Sequence, residues 1–170
     1  MAYTLSIEPE KCTGCQSCTV ACALKRERIS NPQLGRIQVA RRPEEGIHIP
    51  VVCNQCLEAP CVNVCPVDAL SRDPVTNVVN IDYDTCIGCK YCTLACPFGA
   101  MLVNLDTGKV MKCDLCQDEE GGPICYQVCH TKAINYIPLT HAMYERRQSG
   151  ADRMLDLAAT TPLDLGEGIS

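Results

Sequence analysis

The sequence predicts an α+β fold with little regular secondary structure, made of one two-motif cysteine unit written twice, the second copy inserted into the first. Three observations lead there. The 170 residues include 16 cysteines, which fall into four complete quartets with none left over. With no Trp, one Phe and 4% aromatic residues, the chain lacks the bulky side chains that fill an ordinary core, so something bound at the cysteines must help to fill it. The flanks of the quartets also repeat: IEPEKCTGCQSC before the first reads like IDYDTCIGCKYC before the third, and PCVNVCPVDAL in the second like ICYQVCHTKAI in the fourth.

Residues 1–30 and 105–137 form the expected outer module, residues 50–104 the inner module, residues 31–49 an excursion, and residues 138–170 a helical tail. The first quartet, Cys12, Cys15, Cys18 and Cys22, is spaced C-x2-C-x2-C-x3-C. Residues 17–29 can extend it as a helix that Asn31-Pro32 would stop. The excursion carries Arg36, Arg41, Arg42 and His48. Cys53, Cys56, Cys61 and Cys65 follow with C-x2-C-x4-C-x3-C spacing, then Cys86, Cys89, Cys92 and Cys96 with C-x2-C-x2-C-x3-C. Cys113, Cys116, Cys125 and Cys129 are spaced C-x2-C-x8-C-x3-C, with Asp118, Glu119, Glu120 and the turn former Gly121-Gly122-Pro123 in the long gap. Short alternating runs at 78–81, 101–105 and 133–137 read as strands, and TVAC and TLAC as single helical turns. The tail reads as helix with a break near Gly150, apolar at Met143, Tyr144, Met154, Leu155 and Leu157, and ends in Thr161-Pro162 and an acidic, glycine-containing stretch.

A formal charge of −5 argues against nucleic acid, which selects a basic footprint. No stretch approaches the roughly 20 apolar residues of a membrane span. The first residues lack a basic and apolar leader pattern, so a reducing, cytoplasmic setting is expected, with co-export beside a signal-bearing partner left open. Disulfides are disfavoured there.

The third quartet is closed by Pro97, as in the bacterial ferredoxin run whose first three cysteines hold one iron-sulfur cube and whose fourth reaches the next. Zinc would suit paired C-x2-C knuckles, but three cysteines within seven residues and a fourth after three more match the spacing of a cube instead. The expectation is therefore four 4Fe-4S clusters. Cys65-Pro66 and Cys96-Pro97 share the closing proline, and 20 residues separate Cys65 from Cys86, which pairs the second and third motifs. Cys22-Ala23 and Cys129-His130 lack it, which pairs the first with the fourth. The ligand sets expected are Cys12, Cys15, Cys18 and Cys129; Cys22, Cys113, Cys116 and Cys125; Cys53, Cys56, Cys61 and Cys96; and Cys65, Cys86, Cys89 and Cys92. Sequential pairing, first with second and third with fourth, is the alternative.

No acid, base or nucleophile set emerges for catalysis: His48, His130 and His141 are scattered, and every cysteine is assigned as a ligand. Gly14, Gly88 and Gly99 suit either close approach to a cube or tight turns. Lys90 and Lys112 adjoin ligands, where a cation would raise a cluster's potential, but the base expectation is that both are solvated. Lys25, Arg26, Arg28, Arg36, Arg41 and Arg42 read as a solvated basic face, or else as a dock for an acidic partner.

The four-motif order over about residues 3–137, with the fourth motif opened by Lys112-Cys113-Asp114-Leu115-Cys116, resembles the electron-transfer subunits of the DMSO-reductase and formate-dehydrogenase type. That resemblance implies four cubane clusters in line within two fused ferredoxin-like halves, with the same cross-pairing. It also implies a non-catalytic role beside a large molybdenum or tungsten pterin subunit, with a flavin/NAD subunit or a ferredoxin as electron partner; the tail's own apolar residues suggest subunit contact or self-association, or else a helix that covers one cluster. The compact length is similar to versions associated with tungsten aldehyde oxidoreductases. A free polyferredoxin serving several enzymes is the alternative, and a structural zinc module a remote one.

Overall fold

The computed structural model describes residues 2–160; the side chain of Leu157, Thr161-Pro162 and the acidic terminus lie outside the described residues. Strands of two to five residues pair only as four separate two-stranded antiparallel sheets among the described residues, so the architecture is α+β with loops predominating.

Two of these sheets frame the cysteine loops in the same way. β1 (Tyr3–Ile7) leads into the first quartet and pairs with β8 (Ile134–Pro138), which leaves the fourth. β4 (Leu70–Arg72) leaves the second quartet and pairs with β5 (Val79–Ile81), which leads into the third. The two sheets thus hold corresponding segments in opposite chain order. Helices follow the same plan: α1 (Ser17–Glu27) packs on α4 (Ile124–Gln127), and α3 (Tyr91–Ala95) on α2 (Pro60–Asn63).

The repeat extends to the backbone. Gly14 and Gly88 both have φ +70°, and Gln16 and Lys90, at the starts of α1 and α3, have φ +62° and +66°. These left-handed residues turn the chain so that successive cysteines converge. A Cβ on Gly14 would lie 2.7 Å from the His48 ring, and one on Gly88 would lie 3.2 Å from the Gly108 carbonyl. Both glycines thus serve a tight turn and a close approach by protein.

Three expectations need correction. α1 ends at Arg28, a left-handed cap at φ +57° whose N–H bonds to the Leu24 carbonyl at 3.2 Å, before Asn31-Pro32 is reached. The excursion contains a hairpin, β2 (Gln38–Arg42) paired with β3 (Ile47–Val51) through a turn at Gly46 with φ +66°, where no strand was expected. α5 (Leu139–Thr160) runs unbroken through Gly150; a glycine in an exposed helix costs only about 1 kcal/mol relative to alanine. α5 meets β1 and β8, and leaves Met143, Tyr144, Met154 and Leu155 exposed. Of the expected strands, β5 and β8 appear nearly in full, and 101–105 shrinks to β6 (Leu102–Val103), paired with β7 (Val110–Met111).

Two cores result. Leu5, Ile37, Val52, Val78, Leu115 and Ile134 pack with cysteines of the first and fourth motifs. Ala59, Leu70, Val79, Met101 and Val110 pack with cysteines of the second and third. Val78 and Val79, adjacent in an extended segment, face opposite cores, as strand alternation requires.

Candidate metal centres

Three hollows open beside the cysteine loops. Cys65, Cys86, Cys89 and Cys92 line the first, Cys12, Cys15, Cys18 and Cys129 the second, and Cys53, Cys56, Cys61 and Cys96 the third. Each hollow thus takes three cysteines from one motif and one from another. The remaining four, Cys22, Cys113, Cys116 and Cys125, are all buried. Burial, followed by the charges of Cys113, Cys22 and Cys116, drives the Cys125 thiol upward, so these four share one neighbourhood.

The donor set suits iron-sulfur chemistry. No carboxylate or imidazole lines any of the three hollows, and soft thiolates favour such clusters. Among the described residues no group of three His, Cys, Asp or Glu side chains is gathered closely enough to hold a single metal ion.

The quartets follow one another in space. Cys18 acts electrostatically on Cys125, Cys53 on Cys113, and Cys61 on Cys92. This orders them as first-with-fourth outer set, deep outer set, third hollow and first hollow. Cys15 and Cys89, in the two terminal sets, are exposed.

Thiol acidity differs along that order. Burial pushes Cys113 up to about 12, and Cys92 up to about 11. Burial also raises Cys22, against the N–H of Arg36, which donates to its Sγ at 3.3 Å. Cys15 is lowered by hydrogen bonds from the Ser17 side chain and backbone. At Cys65 burial acts upward, but the N–H groups of Val67, Ala69 and Leu70 together outweigh it and leave the thiol lowered.

Of the six basic residues, Arg28 and Arg42 are exposed as a solvated face requires, but Lys25, Arg26, Arg36 and Arg41 are engaged by the protein. Arg26 and Arg36 share the Asp114 carboxylate at 2.8 and 3.0 Å, Arg26 also reaches Asp118 at 2.8 Å, and Lys25 pairs with Glu119. Arg41 donates to the Gly14 carbonyl at 2.7 Å. These contacts clamp α1 and the excursion onto the cysteine loops. Lys112 is likewise not solvated: at 2% exposure it lies between the two cores, whereas Lys90 is exposed. His48 packs over Gly14, His130 is exposed, and His141 pairs with Glu145 at 3.4 Å on α5.

Gln55, Arg72 and Asp114 were not foreseen. Arg72 gathers the carbonyls of Gln55, Cys56 and Leu57 around the second motif. Gln55 has φ +47° and, like Leu115 at φ +56° in the fourth motif, occupies the second position between two cysteines. That shared position in the repeat was the one available signal.

A family model described as a 4Fe-4S dicluster domain matches residues 44–138, and one described as a 4Fe-4S binding domain matches residues 9–25. The chain is 43% identical over 138 residues to the aliphatic sulfonate oxidoreductase, polyferredoxin-like subunit, of Pyrococcus furiosus, covering 81% of this chain and 78% of that one. It is 35% identical over 155 residues to the thiosulfate reductase electron transfer subunit of Salmonella typhi, with 85% and 80% covered. It is 38% identical over 151 residues to an electron transport protein of Escherichia coli K12, with 75% and 83% covered.

Proposed function

Starting from the fact that this chain belongs to the 4Fe-4S dicluster-domain family and is an electron-transfer subunit, we propose that it carries four 4Fe-4S clusters in a row between a catalytic subunit and a redox partner. The observation that carries this reading is the lining of each of three hollows by four cysteines from two motifs, with the last four buried together. When bound, such clusters exchange one electron at a time over a wide range of potentials. The chain's own part is to hold the cysteines, exclude water from the deep set and leave Cys15 and Cys89 near the surface at the two ends.

In this reading Cys12, Cys15, Cys18 and Cys129 hold one terminal cluster, and Cys65, Cys86, Cys89 and Cys92 the other. The modules are two ferredoxin-like units, the inner inserted in the outer; the separate cores and the two equivalent sheets support that nesting. Replacing Cys96 with alanine should perturb the cluster shared with Cys53, Cys56 and Cys61. Loss of the Cys113 signal instead would overturn the pairing.

In this reading the role is non-catalytic, since it assigns each of the 16 cysteines as a ligand and leaves none as a nucleophile. The partner is a large molybdenum or tungsten pterin oxidoreductase subunit, with a flavin/NAD subunit or a ferredoxin at the other end. The tungsten aldehyde oxidoreductase version rests on size. The names of the relatives, which include sulfonate and thiosulfate enzymes, widen it to oxidoreductases generally. We assign it to the cytoplasm, where reduced thiols persist; no described helix is long and apolar enough to cross a membrane. The exposed apolar side chains of α5 suit subunit contact or self-association. Gentle anaerobic purification tests the assignment: a copurifying pterin subunit supports it, as does loss of that subunit, with iron intact, on removing residues after Pro138. A monomer that retains its iron and reduces several enzymes would overturn it in favour of a free polyferredoxin.

A further inference from the structure

The seam between the two cores contains a charge. Lys112 Nζ donates to the carbonyl oxygens of Cys113, at 2.6 Å, and Val79, with Gln55 Oε1 at 3.5 Å. Three acceptors around three N–H groups is the coordination of an ammonium. Gln55 locks the arrangement: its Nε2 donates to the Cys113 carbonyl at 2.9 Å, and its Oε1 accepts from the Val79 N–H at 2.9 Å. The partially buried arginines are neutralised by Asp114, but no carboxylate pairs with Lys112 among the described residues. A buried ammonium facing neutral oxygens alone is costly, because carbonyl dipoles replace only part of its hydration.

The anions available at the seam are cysteine sulfurs. Lys112 adjoins Cys113 in the chain, its acceptor Val79 lines the third hollow, and Gln55 stands between Cys53 and Cys56. Cys53 and Cys61 line the third hollow, and Cys113 belongs to the deep outer set. Lys112 therefore stands between the two middle sets, one in each half, with a terminal set beyond each.

We propose that Lys112 is the shared countercharge of the two middle clusters, raising both of their reduction potentials and keeping the two halves matched across the seam. This rests on the four-cluster reading above. A fixed cation favours the form of a neighbouring cluster that has gained an electron, and a buried one is little screened by salt. Beyond the middle sets its influence falls with distance. Lys112 is a positioning residue for potential and touches no reacting atom.

The test uses the full chain purified anaerobically with its clusters, comparing Lys112→Met and Lys112→Arg with the parent by iron analysis and EPR-monitored redox titration. Lys112→Met should lower two of the four potentials, each by at least a tenfold fall in the equilibrium constant for uptake of one electron, about 59 mV. The other two should stay in place, and Lys112→Arg should restore the first two toward the parent. An iron-replete Lys112→Met chain with four unchanged potentials, or with all four displaced equally, would overturn the proposal, since a purely structural lysine moves none selectively. If Lys112→Met binds less iron, Gln55→Glu sets a carboxylate against Nζ while the lysine remains. The same two potentials should then fall, and unchanged potentials there would overturn the proposal. Iron analysis of the parent separately tests the four-cluster reading.

Discussion

The outer and inner halves are built on one plan, yet one is wrapped by its own chain and the other is bare. In the outer half α1 runs for 11 residues and carries Lys25 and Arg26 across to Glu119 and Asp114. In the inner half α3 stops after five, and Leu94, Ile87 and Tyr91 are left 85%, 65% and 54% exposed. The difference traces to the residue after the fourth cysteine. Pro97 pushes Cys96 into an extended conformation, with ψ 111°, and ends α3. Ala23 lets α1 continue past Cys22. One residue in a repeated motif thus separates a half sealed by helix and hairpin from a half whose apolar surface remains available to a partner.

The comparison is broken most forcefully by Ala23→Pro, which imposes the inner pattern on the outer half. Ala23 is fully buried in mid-helix, so the change should cost about 3 kcal/mol or more, read as a lowered denaturation midpoint. Pro97→Ala in the inner half should cost far less. A smaller effect is expected of Asp114→Asn, which leaves Arg26 and Arg36 without their shared carboxylate. It should remove about 2 kcal/mol, measured by the same unfolding curve, with the inner clusters unaffected.

The smallest effect concerns pH and the metal-free chain. In the deep outer set burial raises Cys22, Cys113 and Cys125, whereas in the terminal inner set Cys92 is raised and Cys65 lowered. Raised thiols stay protonated near neutrality and must lose their protons to bind iron. Reconstitution should therefore quicken with rising pH, by several-fold more for the deep set, as followed by the growth of its EPR signal. The metal-free fold responds with the opposite sign. A thiol whose folded pKa exceeds its unfolded value of about 8.5 contributes stability that is present below that pH and lost as pH climbs toward about 12 at Cys113. Equal pH dependence of loading in the two sets would remove this distinction between the halves.

Much of the plan was legible because cysteine spacing is rigid information. The quartets, their repeat and the strands that enter the third quartet and leave the fourth were read from the sequence, whereas β1 and β4, their pairing partners, were not. Long-range polar chemistry was not legible. Arg26 and Arg36 looked like part of a solvated face, since nothing local says that Asp114, some 88 positions from Arg26, will meet them. Lys112 looked solvated for the same reason: a lysine beside a cysteine reveals its burial only when two separately written cores close over it. The hairpin at β2 and β3 was hidden because Arg41, Arg42 and Pro50 obscure the apolar alternation, while Val39 and Pro50 wall a hollow.

The claim on which both halves depend is that every cysteine ligates a cube. Iron and acid-labile sulfide determined per chain on anaerobically purified protein test it most directly. The account predicts one iron and one sulfide for each of the 16 cysteines; a whole cluster's worth fewer in fully loaded protein, or zinc in place of iron, would contradict it.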